Sequence, residues 1–398
     1  MKILQITHKP PFPAIDGGCI AMYNITWGLI RGGHEVKVLS MSTPKHKEYP
    51  DRIPEDYRTK TRFECVYVNT RFNFFKAIRD ICLCRSYHVR RFVSRAFAQR
   101  LRDILAAETF DIIQLESIFT APYIDLIRQH SHAKIVLRAH NIEHRIWGRF
   151  LIHRVKGMKK WALTVMARQL KKFELEVFKQ IDAYLSISET DDQYFRACFP
   201  FLPGEVIPVG LDIQNYVPDE NNIPSENLSL FYIGSMQWFP NLEGVDWFLK
   251  MVLPLLRERY PSVVFSIAGR GIPSHWQQIP NVKVEGEVAD AQEYMRARDL
   301  MLVPLLSGSG IRVKILEGMA LSKAIITTPV GAEGLHVEDG KNILIANTPR
   351  EFAQLIEKCI QMPEICKMLG ENAREYVLLR HDNREISKKL IAFYKGLL

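Results

Sequence analysis

Residues 300–334 read LMLVPLLSGSGIRVKILEGMALSKAIITTPVGAEG, and they decide the fold class. An apolar run comes first, and a Gly-Ser-Gly turn follows it. Apolar residues then recur at the spacing of an amphipathic helix, at Ile315, Leu316, Met319 and Ala320. A second apolar run, AIITT, comes next. This order of strand, turn, helix and strand predicts a βαβ unit with two parallel strands.

The same alternation of short apolar runs and longer helical stretches extends upstream of this unit. In the first half the runs are KILQIT, EVKVLSM, DIIQLES and AKIVLRAH, and in the second half they are LSLFYIGS, SVVFSIAGRG and NVKVEGEV. Strands rich in Ile, Val and Leu that alternate with helices are typical of parallel sheets covered on both faces. We therefore predict an α/β protein with two doubly wound sheets, one in each half of the chain.

The length of the chain also favours two domains, because 398 residues exceed one ordinary hydrophobic core. Residues 200–230 are dense in Pro, Asn and Gly without clear periodicity, which is typical of a hinge and surface loop. We place the first domain at residues 1–205 and the second at residues 206–375. Beyond residue 349, the apolar spacing predicts helices to the end of the chain.

Composition limits the class of protein. Apolar residues make up 47% and charged residues 24% of the chain, as in a soluble globular protein and not a disordered one. No uncharged apolar run reaches about 18 residues, so no membrane-spanning helix is expected. The opening MKILQIT suits a buried strand better than a secretory signal. The seven cysteines are scattered and form no CxxC pair, which indicates a reduced, cytosolic compartment without a cysteine zinc site.

The excess of positive charge belongs to the first half of the chain. Residues 1–205 contain 33 Lys and Arg against 21 Asp and Glu, whereas residues 206–398 contain 20 against 23. Residues 71–102 and 145–172 carry nine Lys and Arg each, interleaved with aromatic and aliphatic residues. This composition favours contact with an anionic membrane surface. A solvated structural face and a nucleic-acid surface are the alternatives, but no nucleic-acid recognition motif is present, so no nucleic-acid partner is expected.

Two groups of candidate residues follow strands of the first half. Gly17 and Gly18 come after Asp16 at the start of a predicted helix, where free amides attract phosphate oxygens, although a simple turn also uses two glycines. His140 and Glu143 belong to the segment RAHNIEH at the end of a predicted strand. So many titratable groups would be costly in a core, so we expect them to line a cleft. A metal site is the alternative, but the segment has no HExxH motif and we expect no metal.

In the second half, glycines stand at the ends of three predicted strands. They are Gly234, with Ser235 after it, Gly269 and Gly286. A glycine at such a turn lets a flat base or a sugar lie against the backbone. An ordinary βα turn is the alternative for each of them.

The turn within residues 300–334 is the strongest candidate. It consists of Gly308, Ser309 and Gly310. Arg312 and Lys314 follow in what we predict to be the first turn of a helix, where positive side chains cost about 0.3–1 kcal/mol each, so a negative ligand such as a diphosphate is expected to join them. Glu317 shares the helix face of Lys314 and is expected to accept hydrogen bonds from ribose hydroxyls. A solvated surface pair between Lys314 and Glu317 is the alternative.

The order of these motifs along the whole chain resembles the GT-B glycosyltransferases of family 4, also called glycosyl transferase group 1. The motifs are Gly17-Gly18, RAHNIEH, VIPVGLD, YIGSMQWFPN, IAGRG and GSGIRVKILEGMA. The resemblance implies two Rossmann-like domains that face an interdomain cleft, with the acceptor bound mainly by the first, the nucleotide-sugar donor mainly by the second, and no metal requirement. It also implies that a C-terminal helix, residues 376–398, packs back on the first domain.

The resemblance also assigns roles to individual positions. Gly17 and Gly18 would contact the donor phosphate, and His140 would lie beside the transferred sugar. His140 or Glu143 would orient the sugar or the acceptor hydroxyl, with His140 preferred. Glu317 matches the second glutamate of the family's Glu-x7-Glu motif, which holds the ribose.

The chain departs from the family pattern at three positions. Ser309 replaces the first glutamate of the Glu-x7-Glu motif, and Ser235 and Pro240 stand where the family usually has Arg and Lys. We infer that Arg312 and Lys314 take over the contact with the diphosphate from the other loop.

We therefore expect a glycosyltransferase that moves a sugar from a UDP- or GDP-linked donor to a sugar or polyprenyl-linked glycan, with retention of configuration and without a cofactor. Bacterial surface polysaccharide assembly fits this expectation, as does a cytoplasmic location at the inner face of the cytoplasmic membrane. Two alternatives stay open. One is a nucleotide-sugar epimerase of the same fold, which needs no acceptor, and the other is a non-catalytic nucleotide-sugar-binding subunit.

Overall fold

The computed structural model describes residues 1–14, 16–146, 157–219, 228–308 and 310–398. The chain folds into two compact units: Met1–Gly210 with Asn383–Leu398, and Leu211–Asp382. Each unit has one parallel sheet surrounded by helices, so the predicted α/β architecture with two doubly wound sheets is confirmed. The sequence pattern places the domain limits after residues 205 and 375, whereas the units change after residues 210 and 382.

Seven parallel strands form the first sheet, in the order β3-β2-β1-β4-β5-β6-β7. They are β1 (Lys2–Thr7), β2 (Glu35–Ser42), β3 (Glu64–Tyr67), β4 (Ile112–Glu116), β5 (Lys134–Ala139), β6 (Ala183–Ser186) and β7 (Gly204–Val206). The four predicted runs correspond to β1, β2, β4 and β5. The sequence pattern does not indicate β3, β6 and β7, which are only three or four residues long. Because β7 lies within residues 200–230, the hinge interpretation is wrong for that part of the segment.

Apolar layers cover both faces of the first sheet. One layer contains Ile6, Leu115 and Leu137, and the other contains Ile3, Val38 and Val136. Successive residues of a strand point to opposite faces, so a sheet buried on both sides produces continuous apolar runs. The helices whose bounds the described residues give are Gly17–Arg31, Glu55–Thr61, Phe74–Cys82, Tyr87–Arg90, Arg95–Ala107, Ile124–His130, Gly157–Val177, Glu189–Cys198 and Asn383–Leu397. Residues 143–146 are also helical.

The C-terminal helix Asn383–Leu397 packs closely on the first helix of the same unit. The side-chain nitrogen of Asn383 donates a 2.7 Å hydrogen bond to the carbonyl oxygen of Asn24. A Cβ atom added to Gly28 would lie 1.8 Å from Oγ and 2.7 Å from Cβ of Ser387. The two helices therefore approach each other at a distance that only glycine permits at this position.

Six parallel strands form the sheet of the second unit, in the order β10-β9-β8-β11-β12-β13. They are β8 (Leu230–Ile233), β9 (Phe265–Ala268), β10 (Val282–Gly286), β11 (Leu300–Val303), β12 (Ala324–Thr327) and β13 (Leu344–Ile345). All five predicted runs of this half are strands, and the two-residue β13 is the one that the pattern does not indicate. The βαβ unit read from residues 300–334 is β11, a helix and β12, paired in parallel.

The helices of the second unit surround this sheet. They are Phe239–Trp247, Leu253–Arg259, Ala291–Arg296, Val313–Ala320, Pro329–Ala332, Pro349–Gln361 and Pro363–Arg380. Ile315, Leu316, Met319 and Ala320 are all buried, as the predicted apolar stripe requires. Within the described part of the chain, no helix has the length and apolar character needed to cross a membrane.

Replacing Gly28 by alanine is expected to lower the unfolding free energy of the first unit by about 1–3 kcal/mol, because the new methyl group would overlap Ser387. Gly396→Ala is the matched control. Gly396 lies on the C-terminal helix with no atom within 4 Å of an added Cβ, so alanine there should stabilise by up to about 1 kcal/mol. Urea unfolding followed by circular dichroism measures both variants. An unchanged midpoint for Gly28→Ala would contradict the close packing of these helices.

Candidate functional site

Three glycine turns pack against one another at the carboxyl ends of β8, β9 and β10. The amide of Gly234 donates to the carbonyl oxygen of Ala268 at 3.0 Å. The amide of Gly269 donates to the carbonyl oxygen of Gly286 at 2.7 Å. A Cβ atom added to Gly269 would lie 2.0 Å from the carbonyl oxygen of Gly234. The structure thus brings together the three glycines that the sequence indicates, and backbone contact is the reason that Gly269 has no side chain.

The ammonium group of Lys314 lies against the first of these turns. Its Nζ donates to the hydroxyl of Tyr232 at 2.6 Å and to the side-chain oxygen of Asn241 at 3.0 Å. A Cβ atom added to Gly234 would lie 2.5 Å from this Nζ. Asn241 also donates from its side-chain nitrogen to the carbonyl oxygen of Ser235 at 2.8 Å. These contacts tie the end of β8 to the helix that follows β11.

Burial, followed by the charge of the nearby Arg312, lowers the pKa of Lys314 to about 7. Burial acts in this sense because it removes water from the charged form. The two hydrogen-bond acceptors of Lys314, a hydroxyl and an amide, are neutral. A bound anion would therefore stabilise the protonated ammonium group.

Arg312 is buried next to the Gly-Ser-Gly turn. Its guanidinium carbon lies 5.6 Å from the ring centre of Trp238, and a Cβ atom added to Gly308 would lie 3.0 Å from one of its terminal nitrogens. The helix begins at Val313, so Arg312 immediately precedes the first turn instead of lying in it as predicted. Gly310 has a left-handed φ of 78°. Ser309 lies outside the described residues.

The carboxylate of Glu317 accepts a 3.0 Å hydrogen bond from the hydroxyl of Tyr216. Burial raises the pKa of Glu317 to about 7, although this hydrogen bond and Lys314 oppose the shift. Among the described residues, no ion pair within 4.0 Å joins Lys314 to Glu317, and both side chains are partly buried. The alternative of a solvated surface pair is therefore wrong.

In the first unit, a partly buried ion pair occupies the turn after β1. Lys9 Nζ donates to both carboxylate oxygens of Asp16, at 2.6 and 2.8 Å, and Asp16 caps the first helix by accepting from the amide of Cys19 at 2.9 Å. A Cβ atom added to Gly18 would lie 2.8 Å from Lys9 Nζ. Burial alone would raise the pKa of Asp16. The charge of the Lys9 ammonium group outweighs this effect and holds the pKa of Asp16 well below its usual range. Gly17 is the first residue of the helix.

The buried carboxylate of Glu116, at the end of β4, holds His140. Glu116 Oε2 lies 2.5 Å from His140 Nε2 and 3.4 Å from a terminal nitrogen of Arg138. Burial would raise the pKa of Glu116, but Arg138 and then His140 lower it, so the group is ionised at neutral pH. The pKa of His140 is lowered, mainly by burial, so its ring is neutral at the same pH. Nε2 then donates to Glu116, and Nδ1 is the acceptor nitrogen of the ring.

His8 extends this cluster at the end of β1. Its Nδ1 lies 3.0 Å from the carbonyl oxygen of Glu116, so Nδ1 is the donor, and its ring stands edge-on to that of His140 with centres 5.8 Å apart. Burial and the Lys9 charge hold the pKa of His8 well below 6.5. Two neutral imidazoles are thus oriented by the side chain and the backbone of one residue.

Glu143 lies beside a second buried carboxylate, that of Glu174 on the helix Gly157–Val177. Glu174 accepts from the amide of Glu143 at 3.0 Å and binds His144 Nδ1 at 2.5 Å. Burial, followed by the charge of Glu174, raises the pKa of Glu143 to about 8. The side chain of Glu143 is therefore protonated at neutral pH. In the described part of the chain, no group of three or more His, Cys, Asp or Glu side chains has the arrangement of a metal site.

Sequence reasoning misses several residues of these clusters. They are Lys9, Glu116, Glu174, Tyr216, Tyr232 and Asn241. For Glu116 a signal exists, because it is the last residue of β4, Arg138 is the last but one of β5, and the two are partners in the register of these strands. Two opposite charges at such strand ends indicate a buried ion pair.

Solved structures show which fold the chain has. Sucrose-phosphate synthase from Thermosynechococcus elongatus aligns with a TM-score of 0.72 at 16% identity, over 100% of this chain and 99% of that chain. HepE from Anabaena, solved in complex with UDP-glucose, aligns with a TM-score of 0.68 at 14% identity over 100% of both chains. The fold is therefore that of the GT-B glycosyltransferases.

The family follows from sequence comparison. The model for Glycosyltransferase Family 4 matches residues 15–215, about half of the chain, and the model for glycosyl transferases group 1 matches residues 227–362. An uncharacterized 44.6 kDa protein in the cps region of Klebsiella pneumoniae is 21% identical over 397 residues, 97% of each chain. The chain belongs to glycosyltransferase family 4, and the protein is a glycosyltransferase.

Glu116→Gln is expected to destabilise the first unit by about 3–5 kcal/mol at neutral pH, because it leaves the buried Arg138 without its carboxylate. Glu143→Gln is the matched control. Its carboxyl group, with a pKa of about 8, is neutral in the folded protein at pH 7 but ionised in the unfolded chain, so the amide should raise the free energy of unfolding at this pH. Urea unfolding of the two variants at pH 7 makes the comparison.

The two carboxyl groups also predict opposite pH dependences. The lowered pKa of Glu116 stabilises the folded protein above the unfolded value, and this contribution is lost as the pH falls. The raised pKa of Glu143 makes the protein lose stability as the pH rises from 4.5 to about 8, and Glu143→Gln should remove that loss. Equal destabilisation of both variants at pH 7 would contradict these charge assignments.

Proposed function

We propose that this glycosyltransferase takes its sugar from a UDP- or GDP-linked donor and transfers it to a sugar or polyprenyl-linked glycan, with retention of configuration and without a metal ion. The polyprenyl-linked acceptor and a role in surface polysaccharide assembly draw support from the similarity to a protein in a cps region. For the donor, the support is the arrangement of residues in the second unit.

The position of Lys314 carries the proposal. Its ammonium group has neutral hydrogen-bond acceptors and lies near the buried Arg312, so two cations share one site. A diphosphate provides two negative charges, and Arg and Lys are the side chains that proteins use to bind phosphate groups. Gly234 and Gly269 leave the backbone uncovered for a close approach. HepE, which shares the fold, has been solved in complex with UDP-glucose.

The proposed chemistry follows from these charges. When the bond between the sugar and the diphosphate breaks, negative charge grows on the diphosphate oxygens, and Arg312 and Lys314 stabilise it. Glu317, held by Tyr216, accepts hydrogen bonds from ribose hydroxyls. No covalent intermediate on the protein is required, because positioning and electrostatics suffice for the transfer.

His140 and Glu143 supply the polar groups of the first unit. With Nε2 bonded to Glu116, His140 accepts the hydrogen of a sugar or acceptor hydroxyl at Nδ1 and thereby orients it. Glu143 is protonated at neutral pH and is able to donate a hydrogen bond to a substrate oxygen. In this proposal His140 lies beside the transferred sugar, and Gly17 and Gly18 contact the donor phosphate.

Lys314→Met is expected to weaken binding of the nucleotide-sugar donor by at least about tenfold, because one charge-assisted contact with the diphosphate is lost. Isothermal titration calorimetry with UDP-glucose and GDP-mannose measures the affinity of whichever donor binds. Lys250→Met is the matched control, since Lys250 is exposed on the same unit and pairs with Asp246. Equal affinities for the wild type and Lys314→Met would exclude Lys314 from the donor site.

His140→Ala is expected to keep donor binding but to lower the rate of sugar transfer by about 100-fold or more, because the orienting acceptor is lost. Transfer of radiolabelled sugar to a panel of saccharide and polyprenyl-phosphate acceptors provides the rate. A normal rate would remove His140 from the mechanism.

The same assay separates the alternatives. Conversion of the labelled sugar without any acceptor would identify an epimerase. Donor binding without turnover across the panel would identify a non-catalytic subunit.

A further inference from the structure

The helix Phe74–Cys82 has one buried face and one apolar face in solvent. Asn73 caps its start by accepting from the amide of Lys76 at 2.9 Å. On the inner face, Ala77 and Ile81 pack with Met166 of the helix Gly157–Val177. The helix is therefore held in place by its inner face, and the outer face has no structural function in that packing.

Large apolar side chains lie on the outer face and just before the start of the helix. They are Phe72, Phe74, Phe75 and Ile78, with exposed fractions of 65%, 62%, 81% and 44%. The rings of Phe74 and Phe75 stand edge to face with centres 6.0 Å apart. Contiguous exposed apolar side chains of this size mark interaction sites on soluble proteins. We call Phe72, Phe74, Phe75 and Ile78, together with Arg71, Lys76 and Arg79, the aromatic-basic surface.

Positively charged residues flank these rings. Arg71, Lys76 and Arg79 are exposed on the same segment. Arg79 binds Asp80 at 3.0 Å, whereas among the described residues no carboxylate lies within 4.0 Å of Arg71 or Lys76. The surface thus combines apolar rings with uncompensated positive charge. Near the start of the neighbouring helix Gly157–Val177, Lys160 and Trp161 are exposed. Residues 147–156 of the predicted basic stretch lie outside the described residues.

We propose that the aromatic-basic surface docks on an anionic lipid bilayer, with Phe74 and Phe75 inserted at the headgroup level and Lys76 and Arg71 against lipid phosphates. Phenylalanine and aliphatic side chains partition into the interface, and Lys and Arg attract anionic lipids. A second copy of the surface would bring like charges together. A single-stranded nucleic acid would use the rings and cations, but it would leave Ile78 without a role.

Co-sedimentation of the full-length protein with vesicles tests the proposal, without donor or acceptor. The protein should pellet with vesicles of phosphatidylcholine and phosphatidylglycerol, and less so as salt screens the charges. The double variant Phe74→Ser/Phe75→Ser should lose at least about tenfold in partitioning. Lys76→Gln should lose about fivefold on the anionic vesicles only.

Phe201→Ser is the matched control. Phe201 is 97% exposed on the same unit, and residues 197–249 contain no Lys or Arg. It should pellet like the wild type. Equal losses of vesicle partitioning for Phe201→Ser and the double variant would overturn the proposal. Pelleting that does not depend on phosphatidylglycerol would also overturn it.

Phe75→Trp gives a direct reading of the surface. The emission that the new tryptophan adds to that of the six native tryptophans should shift to shorter wavelength with anionic vesicles and be quenched by brominated lipid. An unchanged difference spectrum between the variant and the wild type would overturn the proposal. Two further results would also overturn the proposal. One is binding of a single-stranded oligonucleotide by a protein that does not bind vesicles, and the other is dimerisation that the double variant abolishes.

Discussion

The site of the second unit depends on how the Lys314 ammonium group is enclosed. A hydroxyl, an amide oxygen and a glycine turn surround it. A side chain at Gly234 would displace Lys314 Nζ, and a side chain at Gly269 would overlap the backbone of Gly234. Burial makes the charged form of Lys314 costly, as the lowered pKa shows. In the free protein Lys314 therefore loses its proton more easily than an exposed lysine, and an anionic ligand would favour the charged form.

The central charge of the first unit is negative, whereas that of the second unit is positive. In the first unit this charge is the carboxylate of Glu116, which is fully buried and contacts Arg138, His140 and the side-chain amide of Gln114. A buried carboxylate with several such partners keeps its charge and fixes the groups around it. His140 is consequently held in one tautomer, while Glu143 is held neutral close by. The cations of one unit suit a donor phosphate, and the neutral polar groups of the other suit hydroxyls.

The sequence reveals the architecture more fully than the site. Long apolar strands are visible because burial on both faces leaves continuous runs, whereas the short strands β3, β6, β7 and β13 leave too few residues for a pattern. Lys314 is visible because a charge beside a Gly-Ser-Gly turn is unusual. Its partners are not, because Tyr232 lies 82 and Asn241 73 residues away along the chain. Contacts of such sequence separation depend on the tertiary fold and have no local signature.

Proton uptake on donor binding is the most direct test of the account, because it reports the charge of Lys314 itself. At about pH 8 Lys314 is mostly neutral in the free protein and Glu317 is already ionised, since the pKa of each is about 7. Calorimetric titration with UDP-glucose or GDP-mannose in two buffers of different ionisation enthalpy should show uptake approaching one proton in the wild type and none in Lys314→Met. Donor binding without proton uptake, or equal uptake by both proteins, would contradict the claim that Lys314 binds the diphosphate.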